Sequence, residues 1–218
     1  MVQQAKIRLK EGLLPVTDCL EALKSRRSIR KFQNKPPSTE QLEIIIEAAR
    51  LAPSGRNRQP WRFVLLQGDE RDRIAGAVVQ PFVLQAPVVF VCCLDQRAFL
   101  RSQIEQRMQE LVKAEVVTEE AADYIYRSKL PEDLQDVVAP ASAYLDLGIA
   151  VQNMVIAATA LGLGSCWVRM FDQARVHELL TLPEYIEVVS LLPIGYPDQA
   201  PSVRPRLSQS EIMLDLKK

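Results

Sequence analysis

The stretch from about Pro140 to Leu161 constrains the fold more than any other part of this chain. Asp146 is its only charge, and Ala, Leu, Ile, Val and Met fill most of the remaining positions. A helix that is apolar all round has to be buried. In 218 residues it is expected to run through the middle of the molecule or through a subunit interface.

Local signals arrange the other elements around it. Asp18 with Glu21, and Ser38 with Gln41, have the spacing of reciprocal helix caps. The second pair precedes Leu42, Ile45, Ile46 and Ala49, spaced for one helical face, and Pro53 ends that helix. Trp61–Leu66 reads as a strand and Asp69 opens a short helix. Val88–Leu94 reads as a strand buried on both faces, with Cys92 and Cys93 pointing to opposite sides. Residues 97–139 alternate charged and apolar positions as two amphipathic helices joined near Val117-Thr118, a helical excursion packed on the main body. Ser165–Met170 and Ile186–Leu192 are expected strands, separated by a helix that Asp172 caps. The irregular interleaving predicts an α+β domain spanning residues 1–218, with a central mixed sheet and helices on both faces.

Composition removes several function classes. Lys plus Arg (27) balances Asp plus Glu (27), so no field is available for nucleic acid or an anionic membrane. The longest unbroken apolar run, Ala86–Leu94, is too short to span a bilayer, and Met1–Lys6 lacks the apolar core of a signal peptide. A cytoplasmic protein is therefore expected. Cys19, Cys92, Cys93 and Cys166 lack metal-ligand spacing and read as reduced, mostly buried thiols. The one histidine, His177, lies on a helix and reads as structural, so no His-rich metal site and no side-chain catalytic centre is expected.

Two arginine sets point elsewhere. Ser25-Arg26-Arg27-Ser28-Ile29-Arg30 closes an early amphipathic helix, and Arg204-Pro205-Arg206 stands near the other end. Arginine offers a planar fork of donors suited to phosphate, so the two sets suggest a fold that brings both to one phosphate. Basic residues at a helix C-terminus also sit well against the dipole, which is the competing reading. Ala52-Pro53-Ser54-Gly55-Arg56-Asn57-Arg58-Gln59-Pro60-Trp61 is a polar loop with no carboxylate to repel an anion. Gly162-Leu163-Gly164 follows a helix and precedes a strand, which is the wrong order for a dinucleotide loop, and reads as a helix C-cap.

Taken in order, Arg26-Arg27-Ser28-Ile29-Arg30-Lys31-Phe32, Ala52-Pro53-Ser54 with Asn57 and Gln59-Pro60-Trp61, Gln152-Asn153, Ala160–Gly164, Leu192–Pro197 and Arg204–Arg206 resemble the nitroreductase family of flavoproteins over residues 18–207. The resemblance implies an intertwined homodimer with FMN in each of two interface clefts, NAD(P)H as donor, and ping-pong hydride transfer through flavin N5. It places Arg26, Arg27, Ser28, Arg204 and Arg206 on the FMN phosphate and ribityl chain, and Arg30 at the N1/C2=O edge. Pro53, Ser54 and Asn57 would reach the flavin from the partner subunit, and the backbone at Arg169 and Met170 would approach N5. Many relatives have an acidic residue and a glycine where Arg169 and Met170 stand. The implied acceptors are small and electron-poor, such as nitroaromatics or quinones, with Phe99, Tyr124 and Tyr126 as candidates to reach the cleft. Other readings stay open. The same fold could serve reductive dehalogenation, enone reduction, dehydrogenation or flavin fragmentation. A flavin-storing or redox-reporting protein, or a nucleotide-binding regulatory module, would also fit.

Overall fold

The computed structural model describes residues 5–9 and 12–215. Two short strands, β1 (Ala5–Leu9) and β2 (Gly12–Val16), pair antiparallel and precede the helices α1 (Cys19–Ser25) and α2 (Thr39–Arg50). Strand β3 (Trp61–Gln67), a 3-10 segment (Gly68–Ala77), α3 (Pro81–Gln85) and β4 (Val88–Asp95) follow. Next come the excursion helices α4 (Arg101–Lys113) and α5 (Glu119–Tyr126), then the long α6 (Ala141–Ala160). The chain closes with β5 (Gly164–Ser165), α7 (Gln173–Leu179), β6 (Ile186–Gly195) and α8 (Gln209–Ile212).

The main sheet runs β3-β4-β6-β5, and its strands all pair antiparallel. Among the described residues the parallel component expected of a mixed sheet is reduced to one isolated bridge, Ser28 to Ser165. β4 is paired on both edges and every one of its residues is buried. Its alternation divides the core. Val88, Phe90, Cys92 and Leu94 pack with α2 and α6, whereas Val89, Val91 and Cys93 pack with the 3-10 segment and α7. Cys92 and Cys93 thus take opposite faces, and burial pushes both thiols up, Cys93 to about 12.

In α6, Ala143, Asp146, Leu147, Ala150, Val151, Met154, Val155 and Ala158 form a buried stripe at three- and four-residue spacing. By length and composition alone α6 could cross a membrane. Here that stripe lies in the core against α2 and β4. The helix is not enclosed all round by its own chain, because Tyr144 and Leu145 on the other side are exposed.

Both expected caps occur, one in altered form. Ser38 and Gln41 form the full reciprocal box on α2. Asp18 caps α1 through the Leu20 N–H, while Glu21 binds Lys24 in place of closing a box. The expected strand Ser165–Met170 is shorter. Cys166 donates to the Pro193 carbonyl at 3.3 Å, but Pro193 has no N–H to return the bond, and the ladder resumes only at Val168–Leu191. The excursion has its own small cluster of Ile104, Met108 and Ala122, with Tyr126 packed against it. Phe99 is buried in the main core, so it does not reach a cleft.

Candidate functional site

Glycine 164 lets the first arginine set reach the sheet. A Cβ there would lie 2.5 Å from the Ile29 side chain, so only glycine allows this approach. Gly162, by contrast, supplies the left-handed turn after α6, with φ +75°. Ile29 N–H donates to the Ser165 carbonyl at 2.9 Å. Farther along, Gln33 N–H donates to Tyr196 O and Asp198 N–H to Lys31 O, both at 2.9 Å, and Lys31 pairs with Asp198. The contacts of Lys31 and Gln33 lace residues 31–33 to residues 196–198, which carries the second arginine set to the first.

The result is a cavity of about 470 Å³ lined by Arg26, Arg27, Ser28, Arg30, Arg204 and Arg206, with Lys24 beside them. Leu23, Pro201, Ser202 and Val203 complete its wall, and no lining residue is acidic. Among the described residues none of these five arginines lies within ion-pair distance of a carboxylate. Two of the five are not wholly free: the Arg27 guanidinium turns back to the carbonyls of Lys24 and Arg26 at 2.7 and 2.9 Å, and Arg206 donates to the Pro205 carbonyl at 3.0 Å. The helix-end reading therefore holds for Arg27 alone. Beneath the cradle, burial holds the Cys166 thiol above its ordinary value despite the opposing pull of Arg30, the Ser28 hydroxyl, Arg204 and Arg26.

Pro53, Ser54 and Asn57 do not line this cavity, and neither do Arg169 and Met170. Arg169 and Met170 are exposed on the irregular segment that follows β5. Ser54 and Asn57 belong to a loop that α6 anchors. Ser54 Oγ accepts from Gln59 N–H at 2.9 Å, and Gly55 N–H donates to Asp146 Oδ1 at 3.2 Å. Arg58 reaches Asp146 Oδ2 at 3.5 Å, donates to Ser142 Oγ at 3.4 Å and lies 4.8 Å over the Phe99 ring. The two ion-pair side chains are only 11% and 7% exposed. Within the loop Arg56, Asn57 and Gln59 all adopt positive φ, near 56°, 52° and 48°. Non-glycine residues in that region carry strain, which persists only where surrounding contacts over-determine it. Sequence reasoning missed the Arg58–Asp146 latch, although a lone carboxylate in an otherwise uncharged helix was its visible signal.

His177, on α7, has its Nε2 3.1 Å from the carbonyl oxygen of Pro183, beyond that helix. Among the described residues no group of three His, Cys, Asp or Glu side chains is placed to hold a metal ion.

The Nitroreductase family profile matches residues 23–196, which include both the first arginine set and the latched loop. The chain is 31% identical to the NADH dehydrogenase of Thermus thermophilus, over 94% of this chain and 98% of that protein. It is 30% identical to the FMN reductase [NAD(P)H] of Bacillus subtilis, over 90% of this chain and 73% of that one. In structure it resembles a nitroreductase of Exiguobacterium sibiricum crystallised with FMN, at TM-score 0.75 and 26% identity, covering 92% of this chain and 98% of that one. With the profile spanning most of the sequence and the fold agreeing along it, this chain belongs to the nitroreductase family.

Proposed function

We propose that this protein is an FMN-dependent oxidoreductase that takes hydride from NAD(P)H and passes it to small electron-poor acceptors such as nitroaromatics or quinones. One observation carries the reading: five arginines from two distant segments converge on one cavity with no carboxylate among its walls. A phosphate monoester carries nearly two negative charges near neutral pH and accepts several charge-assisted hydrogen bonds. The residues present fit such a group. Arg26, Arg204, Arg206 and Ser28 would hold the phosphate and ribityl chain, with Arg27 presenting mainly its backbone. Arg30, 5.9 Å over the Phe82 ring, would stand by the N1/C2=O edge and favour negative charge there. Bound FMN would supply the hydride chemistry at N5. The protein's own part would be orientation and electrostatics.

A homodimer completes the proposal. Leu20 and Leu23 on α1, Ile46 on α2, Leu51 at its end, and Tyr144 and Leu145 on α6 are all exposed, on three helices that pack together. An apolar surface of this kind marks an association face. A partner seated there would bring Pro53, Ser54 and Asn57 to the other subunit's flavin, with the backbone at Arg169 and Met170 approaching N5. Donor and acceptor would then use one open flavin face in turn, giving ping-pong kinetics in a cytoplasmic enzyme.

The test is a visible absorption spectrum of the purified protein, followed by anaerobic addition of NADPH and then NADH. A flavin spectrum that either donor bleaches supports the reading. Bound flavin that neither donor bleaches turns the assignment to a flavin carrier or to a dehydrogenase with another donor. Protein that takes up no added FMN overturns it. Sedimentation at micromolar concentration should show a dimer, and a monomer would contradict the interface.

A further inference from the structure

The two walls of the arginine cradle are held very differently. On one wall the Arg26 N–H closes α1 on the Ala22 carbonyl at 3.0 Å, and the Ile29 N–H bonds the sheet at Ser165 across the close approach that Gly164 allows. The other wall belongs to residues 199–207, which have no regular structure. Among the described residues none of its backbone N–H or C=O groups bonds to another backbone group. Its side chains add only the bond from Arg206 to the carbonyl of its own neighbour, Pro205. The last fixed point before it is Asp198, whose N–H reaches Lys31 O at 2.9 Å and whose carboxylate pairs with the Lys31 ammonium. The next bonds after it form the capping box of α8, which is local to that helix.

The sequence of this wall favours closure on an anion. Pro201 and Pro205 restrict the backbone, so less conformational entropy is lost when the segment is fixed. Side chains two apart in an extended chain share a face, and Arg204 and Arg206 both line the cavity. Every residue from Ser202 to Leu207 is exposed, so packing does not hold the segment either. Across the cavity Arg26, Arg27 and Arg30 repel the two arginines, and no carboxylate on the walls offsets that repulsion. The wall without hydrogen bonds is the one that this repulsion can move. An anion between the two sets turns the repulsion into attraction.

We propose that residues 199–207 are a strap that hinges after Asp198 and closes on a phosphate group through Arg204 and Arg206. The strap stands open in the apoprotein. Closing it over the FMN phosphate places charge-assisted bonds on both sides of that group and slows release of the cofactor. Inorganic phosphate offers the same chemistry and closes the strap without a flavin, whereas riboflavin leaves it open. FMN as the strap's ligand rests on the flavin reading above; the response to phosphate does not.

Trypsin reads the strap directly in the full-length protein. Pro205 protects the bond after Arg204, so the bond after Arg206 is the strap's one cut, and mass spectrometry follows it as loss of residues 207–218. Cleavage at a bond that must first open tracks the open population. The apoprotein should be cut there, and saturating FMN should slow the cut roughly 10-fold or more, the span of one charge-assisted hydrogen bond. Inorganic phosphate should slow it in part, and riboflavin should leave it unchanged. Arg204→Ala keeps the cut site; it should lose most of the FMN protection and release FMN roughly 10-fold faster. An apoprotein already resistant at this bond overturns the strap. Equal protection by riboflavin and FMN, or protection undiminished in Arg204→Ala, overturns it too. Flavin fluorescence checks FMN uptake separately; if no FMN binds, protection by inorganic phosphate, or its absence, still decides the strap.

Discussion

The arginines of the cradle and those around Asp95 and Asp146 are the same side chain put to opposite uses. Around the two aspartates Arg58, Arg62 and Arg97 each have a carboxylate. Arg62 and Arg97 share Asp95 at 3.0 and 2.8 Å, and Arg58 takes Asp146. Arg107 pairs with Glu110, and Arg101 pairs with Glu105 and Glu132. Arg97 also stacks 3.7 Å over the Tyr185 ring. The pairs at Asp95 and Asp146 tie strand end and loop to the core, those of Arg101 and Arg107 stay within the excursion, and their charge is largely answered within the chain. The cradle arginines have no such company. Their mutual repulsion is a cost in the free protein that an anion removes on binding. The difference teaches that arginine number says little about function, whereas the absence of a nearby carboxylate says a good deal.

The sharpest way to break this contrast is at the latch. Asp146→Asn leaves Arg58 buried without its counter-charge, and removing one member of a buried pair costs about 3 kcal/mol. Urea unfolding should show that loss, and unchanged stability would mean the pair is not structural. Gly164→Ala should have a smaller effect of about 1–3 kcal/mol, because a Cβ would press on Ile29. It should also weaken FMN binding while altering no proposed contact, since it pushes the arginine segment off the sheet. Thermal unfolding together with an FMN titration would check both effects.

The smallest expected effect concerns acid. Burial by itself would raise the Asp95 carboxyl, but Arg97 and Arg62 outweigh burial and hold it below its ordinary value. A depressed carboxyl contributes stability that is present above its unfolded pKa and lost as pH falls through the folded one. Wild-type stability should therefore drop below about pH 4 more steeply than that of Asp95→Asn. Parallel curves would show that Asp95 contributes nothing to the acid response.

Local chemistry was legible in the sequence wherever a short segment determines its own structure. The Ser38–Gln41 box, the buried strand Val88–Leu94 and the paired excursion helices around Thr118 are of this kind. Expectations failed where a distant residue decides the outcome. The strand after Gly164 is interrupted because Pro193 lies opposite it, and Phe99 is buried because α6 and Arg58 cover it. The near-absence of parallel pairing depends on strand order, which no local pattern encodes. The two arginine sets were visible, and the suggestion that one cavity gathers them agrees with the structure.

The most direct test of the cradle compares the affinities of the apoprotein for FMN and for riboflavin, which differ only by the phosphate. The account predicts that FMN binds at least about 100-fold more tightly, as expected for more than one charge-assisted phosphate contact. It also predicts that Arg26→Ala or Arg206→Ala each removes roughly 10-fold or more of that advantage. Equal affinity for the two flavins, or an advantage untouched by either substitution, would contradict it.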